Sequence, residues 1–200
     1  MAKAQIINKR CIEFDLELGY NFRIANDFKN SSVIYAMTND YKNAIEEAKE
    51  AVKYYLKDDR PDRSCAIYTE MVTLYLKDND IIGAEQSFTN AEDLIKNRNL
   101  KFIEYEDYLS FKHASFYINY KSDRSPEALK ILDEVLGASG KYDIPSRDIA
   151  SFHQNRGLTL RRQGNYEDSY LSFSRAYRIY EEYDDVSKKV SGSNTSFEVT

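Results

Sequence analysis

Four pairs of small residues, each pair seven positions apart, recur along the chain: Ala44 and Ala51, Ala84 and Ala91, Ala128 and Val135, Ser169 and Ala176. Seven residues are about two turns of α-helix, so each pair marks one helical face. Four residues after the first member stands Ala48, Phe88, Leu132 or Phe173. Small side chains let a second helix approach closely while the central one fills the space left. That second helix is also visible. Sixteen or seventeen residues upstream of each pair begins another seven-spaced pair: Phe28 and Tyr35, Tyr68 and Tyr75, Phe111 and Ile118, His153 and Leu160. Successive small-residue markers lie 40, 44 and 41 residues apart. Helix pairs that bury their faces against each other, recurring at such a period, predict a stacked repeat.

Turn chemistry punctuates the same register. Asn39-Asp40, Asp78-Asn79-Asp80, Ser122 to Pro126 and Gly164-Asn165 fall between the two helices of successive units. Asp40, Asp80 and Asn165 can each cap the helix that follows, and Ser125-Pro126 reads as an N-cap with its first helical residue. Seven Gly and three Pro in 200 residues leave few of the breaks a many-stranded β fold requires. Residues 3 to 20 predict a further helix, with Ile6, Ile7, Cys11, Phe14 and Leu18 on one face, placed to cover the end of the first unit. The expected organisation is a capping helix in 1–24, a repeat domain in 25–183 and a flexible, Ser-rich tail in 184–200. The repeat units fall at about 25–58, 65–100, 108–137 and 150–183.

These residues resemble the tetratricopeptide repeat (TPR) family. The fourth unit carries Gly157 in its first helix, Gly164 and Tyr166 at its turn, and Ser169, Phe173 and Ala176 where the family places Ala, an aromatic and Ala. The first unit matches through Phe28, Tyr35, Tyr41, Ala44 and Ala51, and the second through Tyr68, Tyr75, Ala84, Phe88 and Ala91. The third lacks the turn Tyr and has Val135 where Ala is usual. The period departs from the usual 34 residues, and the extra residues are expected in longer second helices and in loops at 58–64 and 138–148. Long-period arrays of this kind are similar to those in bacterial peptide-sensing regulators, kinesin light chains and vesicle-fusion attachment proteins. The resemblance implies an all-α fold: an α-solenoid of about four antiparallel helix pairs wound into a right-handed superhelix. It also implies a non-catalytic scaffold that binds a protein or peptide in its concave groove. The sensing or oligomerisation part of a signalling or transcriptional regulator is the alternative it leaves open.

In the resembled fold the first helix of each pair lines the groove, so residues beside its core positions become candidate contacts. These are Asn26, Lys29, Asn30 and Val33 in the first unit, and Ala66, Thr69, Glu70 and Thr73 in the second. The third supplies Leu109, Lys112, His113 and Phe116, and the fourth Ser151, Gln154, Asn155 and Leu158. Asn30 and Asn155 hold equivalent positions, and an Asn amide offers both donor and acceptor to an extended peptide backbone. A carboxylate clamp known in the family is broken here: Lys29 matches one member, but Val33, Glu70, Leu109 and His113 stand where others are needed, and Glu70 would repel a carboxylate. Tyr170, Tyr177 and Tyr180 recur on the last helix and mark an expected self-association face, hence a homodimer through the C-terminal repeat.

Composition and motifs narrow the remaining classes. With 28 basic against 33 acidic residues and a pI near 5.2, the chain lacks the concentrated basic face that direct nucleic-acid contact needs. The N-terminus has no signal-peptide core and no apolar run approaches the ~18 residues that span a membrane. A cytoplasmic protein is the expectation. Cys11 and Cys65 are too far apart in sequence to form a metal-ligand or redox motif. His113 and His153, the only histidines, have no second ligand or nucleophile at helical spacing. Asp78-Asn79-Asp80 with Gly83 misses calcium ligands at Ile82 and Thr89, and no phosphate-binding loop or nucleophile elbow occurs. No catalytic residue, cofactor or metal is therefore expected. The 17 tyrosines are expected mainly in the core and on helix flanks.

Overall fold

The computed structural model describes residues 2–102, 105–138 and 144–193, all of whose regular structure is helical. It divides into two compact units, Met1–Ser122 and Asp123–Thr200. The first holds α1 (Ala2–Leu18), α2 (Asn21–Met37), α3 (Tyr41–Lys57), α4 (Pro61–Lys77), α5 (Ile81–Asn97) and α6 (Tyr105–Lys121). The second holds α7 (Ser125–Ala138), α8 (Ser146–Arg162) and α9 (Tyr166–Ser193).

Helices α2 to α5 are each 17 residues long. Within this run three residues join one helix to the next, the middle one with positive φ: Asn39 at 60°, Asp59 at 52° and Asn79 at 61°; Asn99, at 48°, follows α5 in the same way. Asn and Asp tolerate this left-handed conformation better than other side-chain-bearing residues. It lets the chain close each helix with a long backbone bond: Asp40 N–H to the Tyr35 carbonyl, Arg60 to Tyr55, Asp80 to Tyr75 and Leu100 to Ile95, all 2.9–3.1 Å. Gly164, with φ 78°, does the same between α8 and α9, where Asn165 N–H reaches the Leu160 carbonyl at 3.0 Å. The caps then begin the next helix. Asp40 accepts from Asn43 N–H at 3.3 Å, Asp80 from Gly83 at 2.8 Å and Asn165 from Asp168 at 3.3 Å.

This geometry corrects two expectations. The extra residues lie in both helices of a pair, since α2 and α4 are as long as α3 and α5. Residues 58–64 are no loop: Pro61 stands at the first position of α4, where its missing N–H costs nothing. Burial supports the small-residue register. Ala44, Ala51, Ala84, Ala91, Ala128, Val135, Ser169 and Ala176 are all buried, and Phe28 stacks on Tyr54 and Phe88 on Phe111 at 5.7 and 4.8 Å between ring centroids.

The N-terminal helix docks differently from its apolar pattern. Helix α1 ends at Gly19, with φ 71°, and α2 already starts at Asn21, so the expected capping segment 1–24 contains the first turn of the first repeat. Ile6, Ile7, Cys11, Phe14 and Leu18, the face expected to pack, are exposed. Polar groups carry the α1–α2 contact instead: Asn8 Nδ2 donates to the Asp27 carbonyl at 2.9 Å and Arg23 Nε to Asp15 Oδ2 at 3.0 Å. Asp15 is 3% exposed, and its Oδ1 and Asp27 Oδ2 are buried without partners.

Burial, then the neighbouring Asp15 carboxyl, raises the Asp27 pKa, with Arg23 opposing. An acid whose folded pKa lies above its unfolded value holds its proton more tightly when folded. Its stabilising contribution is therefore complete at low pH and is lost as pH rises through the folded value. Asp27→Asn imitates the protonated form and is expected to raise Tm at neutral pH, with the gain shrinking toward about pH 4. Thermal unfolding across that range checks it, and a gain independent of pH would rule out the carboxyl as its source.

In the second unit Arg156 ties three helices together, donating to Asp133 of α7 at 2.7 Å and to Ser172 of α9 at 2.8 Å. Ser169 Oγ of α9 donates to the Gly157 carbonyl of α8 at 2.8 Å. Phe152 rather than His153 fills the core, and His153 is only half-buried, one position out of the expected register. Helix α9 continues to Ser193, so the first part of the expected tail is helical; residues 194–200 lie outside the described residues.

Candidate functional site

The first helices place the expected groove residues unequally. On α2, Asn30 and Val33 are exposed. Asn26 is committed to the fold, its Oδ1 accepting from the Tyr55 hydroxyl at 2.7 Å. Lys29 pairs with Glu70 of α4 at 3.7 Å, the side chains being 38% and 50% exposed. Such a pair is worth at most about 1 kcal/mol and can open for a ligand. On α4, Thr73 is exposed, whereas Thr69 is buried and donates to the Cys65 carbonyl at 2.9 Å.

On α6, Lys112 lies over the Tyr108 ring at 5.7 Å, His113 is half-buried beside Tyr117, and Phe116 is 2% exposed. Phe116 and Leu109 therefore belong to the core and not to an open groove: Ala114 and Ile118, on the opposite side of α6, are buried as well, so this helix is covered on two faces. In the second unit, Gln154 is exposed and Leu158 and Ser151 are half-buried. Asn155 is half-buried, and its Nδ2 is buried without a hydrogen-bond partner rather than turned to solvent. Tyr170 and Tyr177 are exposed on α9 and Tyr180 is half-buried. The structure thus joins Lys29 to Glu70, and places Asn30 and Asn155 in separate units.

Sequence reasoning missed most of a cavity of about 130 Å³ beside Ala66, Thr69 and Glu70. Cys65, Ala66, Ile95, Leu100 and Phe102 supply its apolar lining, and Asp62, Glu70, Asp107 and Lys101 its charges. Two acidic first turns converge here: Asp62 follows Pro61 at the start of α4, and Glu106 and Asp107 open α6, which packs directly on α4. Acidic residues favour helix N-termini, so each looked locally sufficient in the sequence. The repeated acidic opening of two first helices was the available signal.

The electrostatics follow from this placement. Burial, reinforced by Asp107 and Asp62, pushes the Cys65 thiol up to about 11. It stays protonated at neutral pH and makes a weak S–H contact to the Ala91 carbonyl at 3.8 Å. Burial also raises the Glu70 pKa, with Lys29 pulling it down. For Asp62, burial works upward but is outweighed by hydrogen bonds from the Arg60 side chain and the Arg63 backbone, so its pKa is lowered. Burial and the charges of Arg175 and Arg156 lower the His153 pKa. Among the described residues no group of three or more His, Cys, Asp or Glu side chains could hold a metal, and no helix is long and apolar enough to cross a membrane.

Stacked helix pairs with a polar face on their first helices define an α-solenoid scaffold of the TPR-like class. Residues 1–144 match the model of the SNAP family, soluble NSF attachment protein, and the chain belongs to that family. Among solved structures it is similar to BtubC (BKLC) from P. vanneervenii, with a TM-score of 0.79 and 14% identity over 92% of this chain and 74% of that one. It is also similar to a Podosopora anserina protein described as a kinesin light chain with nearly identical TPR-like repeats. That crystal structure gives a TM-score of 0.72 and 12% identity over 91% of this chain and 88% of that one. At these identities the likeness concerns the fold. No curated protein matches the sequence.

Proposed function

We propose that this protein is a non-catalytic scaffold that binds a protein or peptide through the exposed face of its first helices. The observation that carries the reading is the α2–α4 surface, where Asn30 and Thr73 stay exposed around the openable Lys29–Glu70 pair and beside a ready-formed cavity. Polar side chains on rigid helices suit recognition of an extended backbone, since little ordering entropy is lost on binding. The family description speaks of attachment to a protein, NSF, which fits a macromolecular partner. Cys65, the buried thiol, is held protonated at neutral pH and so is a poor nucleophile.

Asn30→Ala combined with Asn155→Ala is expected to remove partners from an affinity pull-down read by mass spectrometry, with Tm changed little. Identical partner profiles for the wild type and the double variant would overturn the assignment of these two amides.

A further inference from the structure

The cavity between α4, the C-terminal end of α5 and α6 has a composition that selects a ligand. We infer that it receives a basic side chain, lysine or arginine, from an extended segment of a protein partner. This deepens the protein-binding reading and rests on it. At about 130 Å³ the cavity is well below the roughly 300–1,000 Å³ of small-molecule sites, and it has room for one long side chain. Its apolar lining, Ala66, Ile95, Leu100 and Phe102, matches the aliphatic stem that lysine and arginine share. Its charged groups are three carboxylates, Asp62, Glu70 and Asp107, against the single ammonium of Lys101.

The carboxylates are not equally committed. Asp62 already meets Arg60 and Arg63 at 3.2 and 3.7 Å, and Glu70 meets Lys29. Asp107 has no ion pair among the described residues and is exposed in the first turn of α6. Its charge still reaches the cavity, where it acts on Cys65. Glu106, next in the chain, lines an adjoining depression with Asp62, Asp107, Ala66 and one basic residue, Arg63, so carboxylates outnumber cations three to one along the path an extended segment would follow. The Phe102 ring adds a face that a cation can sit over. An acidic side chain in the same place would meet these carboxylates and be rejected.

Acetylated, amidated hexa-arginine is the probe, with hexa-glutamate of the same length as the control for charge sign. Amide chemical-shift mapping on the whole chain is expected to place hexa-arginine at residues 62–70 and 100–110, with hexa-glutamate causing no change there. Asp107→Asn should weaken hexa-arginine about tenfold, as loss of one charge-assisted contact does, while Asp93→Asn, the same change elsewhere on an exposed helix, should alter it less than about twofold. Ala66→Leu leaves every carboxylate in place and fills the cavity, and it should also abolish the mapped shifts; circular dichroism shows that each variant is folded. Equal weakening by Asp107→Asn and Asp93→Asn, scattered shifts, or undiminished binding to Ala66→Leu would each overturn the inference. The broader reading is judged separately. If hexa-arginine misses the cavity while the Asn30/Asn155 double variant still loses its partners, the scaffold assignment stands and the basic-ligand assignment falls.

Discussion

Tyr55→Ala is expected to lower the unfolding free energy by about 3–5 kcal/mol, the range for removing a large buried aromatic side chain. Tyr55 is 1% exposed and lies in the cluster formed with Ala25, Ala48, Val52 and Met71, its ring meeting Phe22 edge-on at 5.9 Å between centroids. Its hydroxyl donates to Asn26 Oδ1 across α2 and α3. The two contributions can be separated. Tyr55→Phe keeps the ring and removes one hydrogen bond, so its cost should be about 1–2 kcal/mol. Urea unfolding of the wild type and both variants measures the two steps. If the phenylalanine variant is as unstable as the alanine variant, the hydrogen bond and not the packed ring dominates, and the account of this core is wrong.

The second large effect is at Gly157. A Cβ built there stands 2.9–3.0 Å from three carbons of the Phe173 ring, closer than packed atoms tolerate. Removing a helical glycine ordinarily gains roughly 1 kcal/mol, so the contact and the propensity oppose each other. With valine the branched side chain adds more volume against the same ring, and overpacking should win: Gly157→Val is expected to cost about 2–3 kcal/mol net. Phe173→Leu in the same chain should recover part of that loss, because it removes the ring edge that the new side chain meets. A double-mutant cycle by denaturant unfolding tests the coupling. Strict additivity of the two changes would show that the strain lies somewhere other than this contact.

The helix pairs were legible because their signals are local. A seven-residue interval between small residues sets a helical face wherever the helix goes, and all eight markers are buried. Asp40, Asp80 and Asn165 cap the helices after them through atoms only three residues away. The left-handed positions carried a stricter rhythm, Asn39, Asp59, Asn79 and Asn99 at intervals of 20 residues. Noticing Asp59 in that series would have turned 58–64 from a loop into a three-residue turn.

The candidate site was legible only in part. Asn30 and Thr73 are exposed where the family resemblance implied, but Phe116 and Thr69 are buried and Asn26 is held by Tyr55. A rotation of about one residue around the axis, roughly 100° in a 3.6-residue helix, exchanges a groove position for a core position. Spacing within one helix does not determine that rotation, because it depends on which side chains of two neighbouring helices interlock. The apolar face of α1 fails for the same reason, since hydrogen bonds from Asn8 and Arg23 decide how it docks.

What the order of residues settled alone is the sequence of helices, their turns and the small-residue faces that bury, since these depend on backbone dihedrals and contacts within a few positions. Packing settled the rest. The acidic cavity needs Asp62 and Asp107, 45 residues apart in the chain, to meet over Cys65. No local preference places two carboxylates together against their mutual repulsion. They meet because α4 and α6 bury their apolar faces against one another, and that burial outweighs the repulsion of two partly solvated charges.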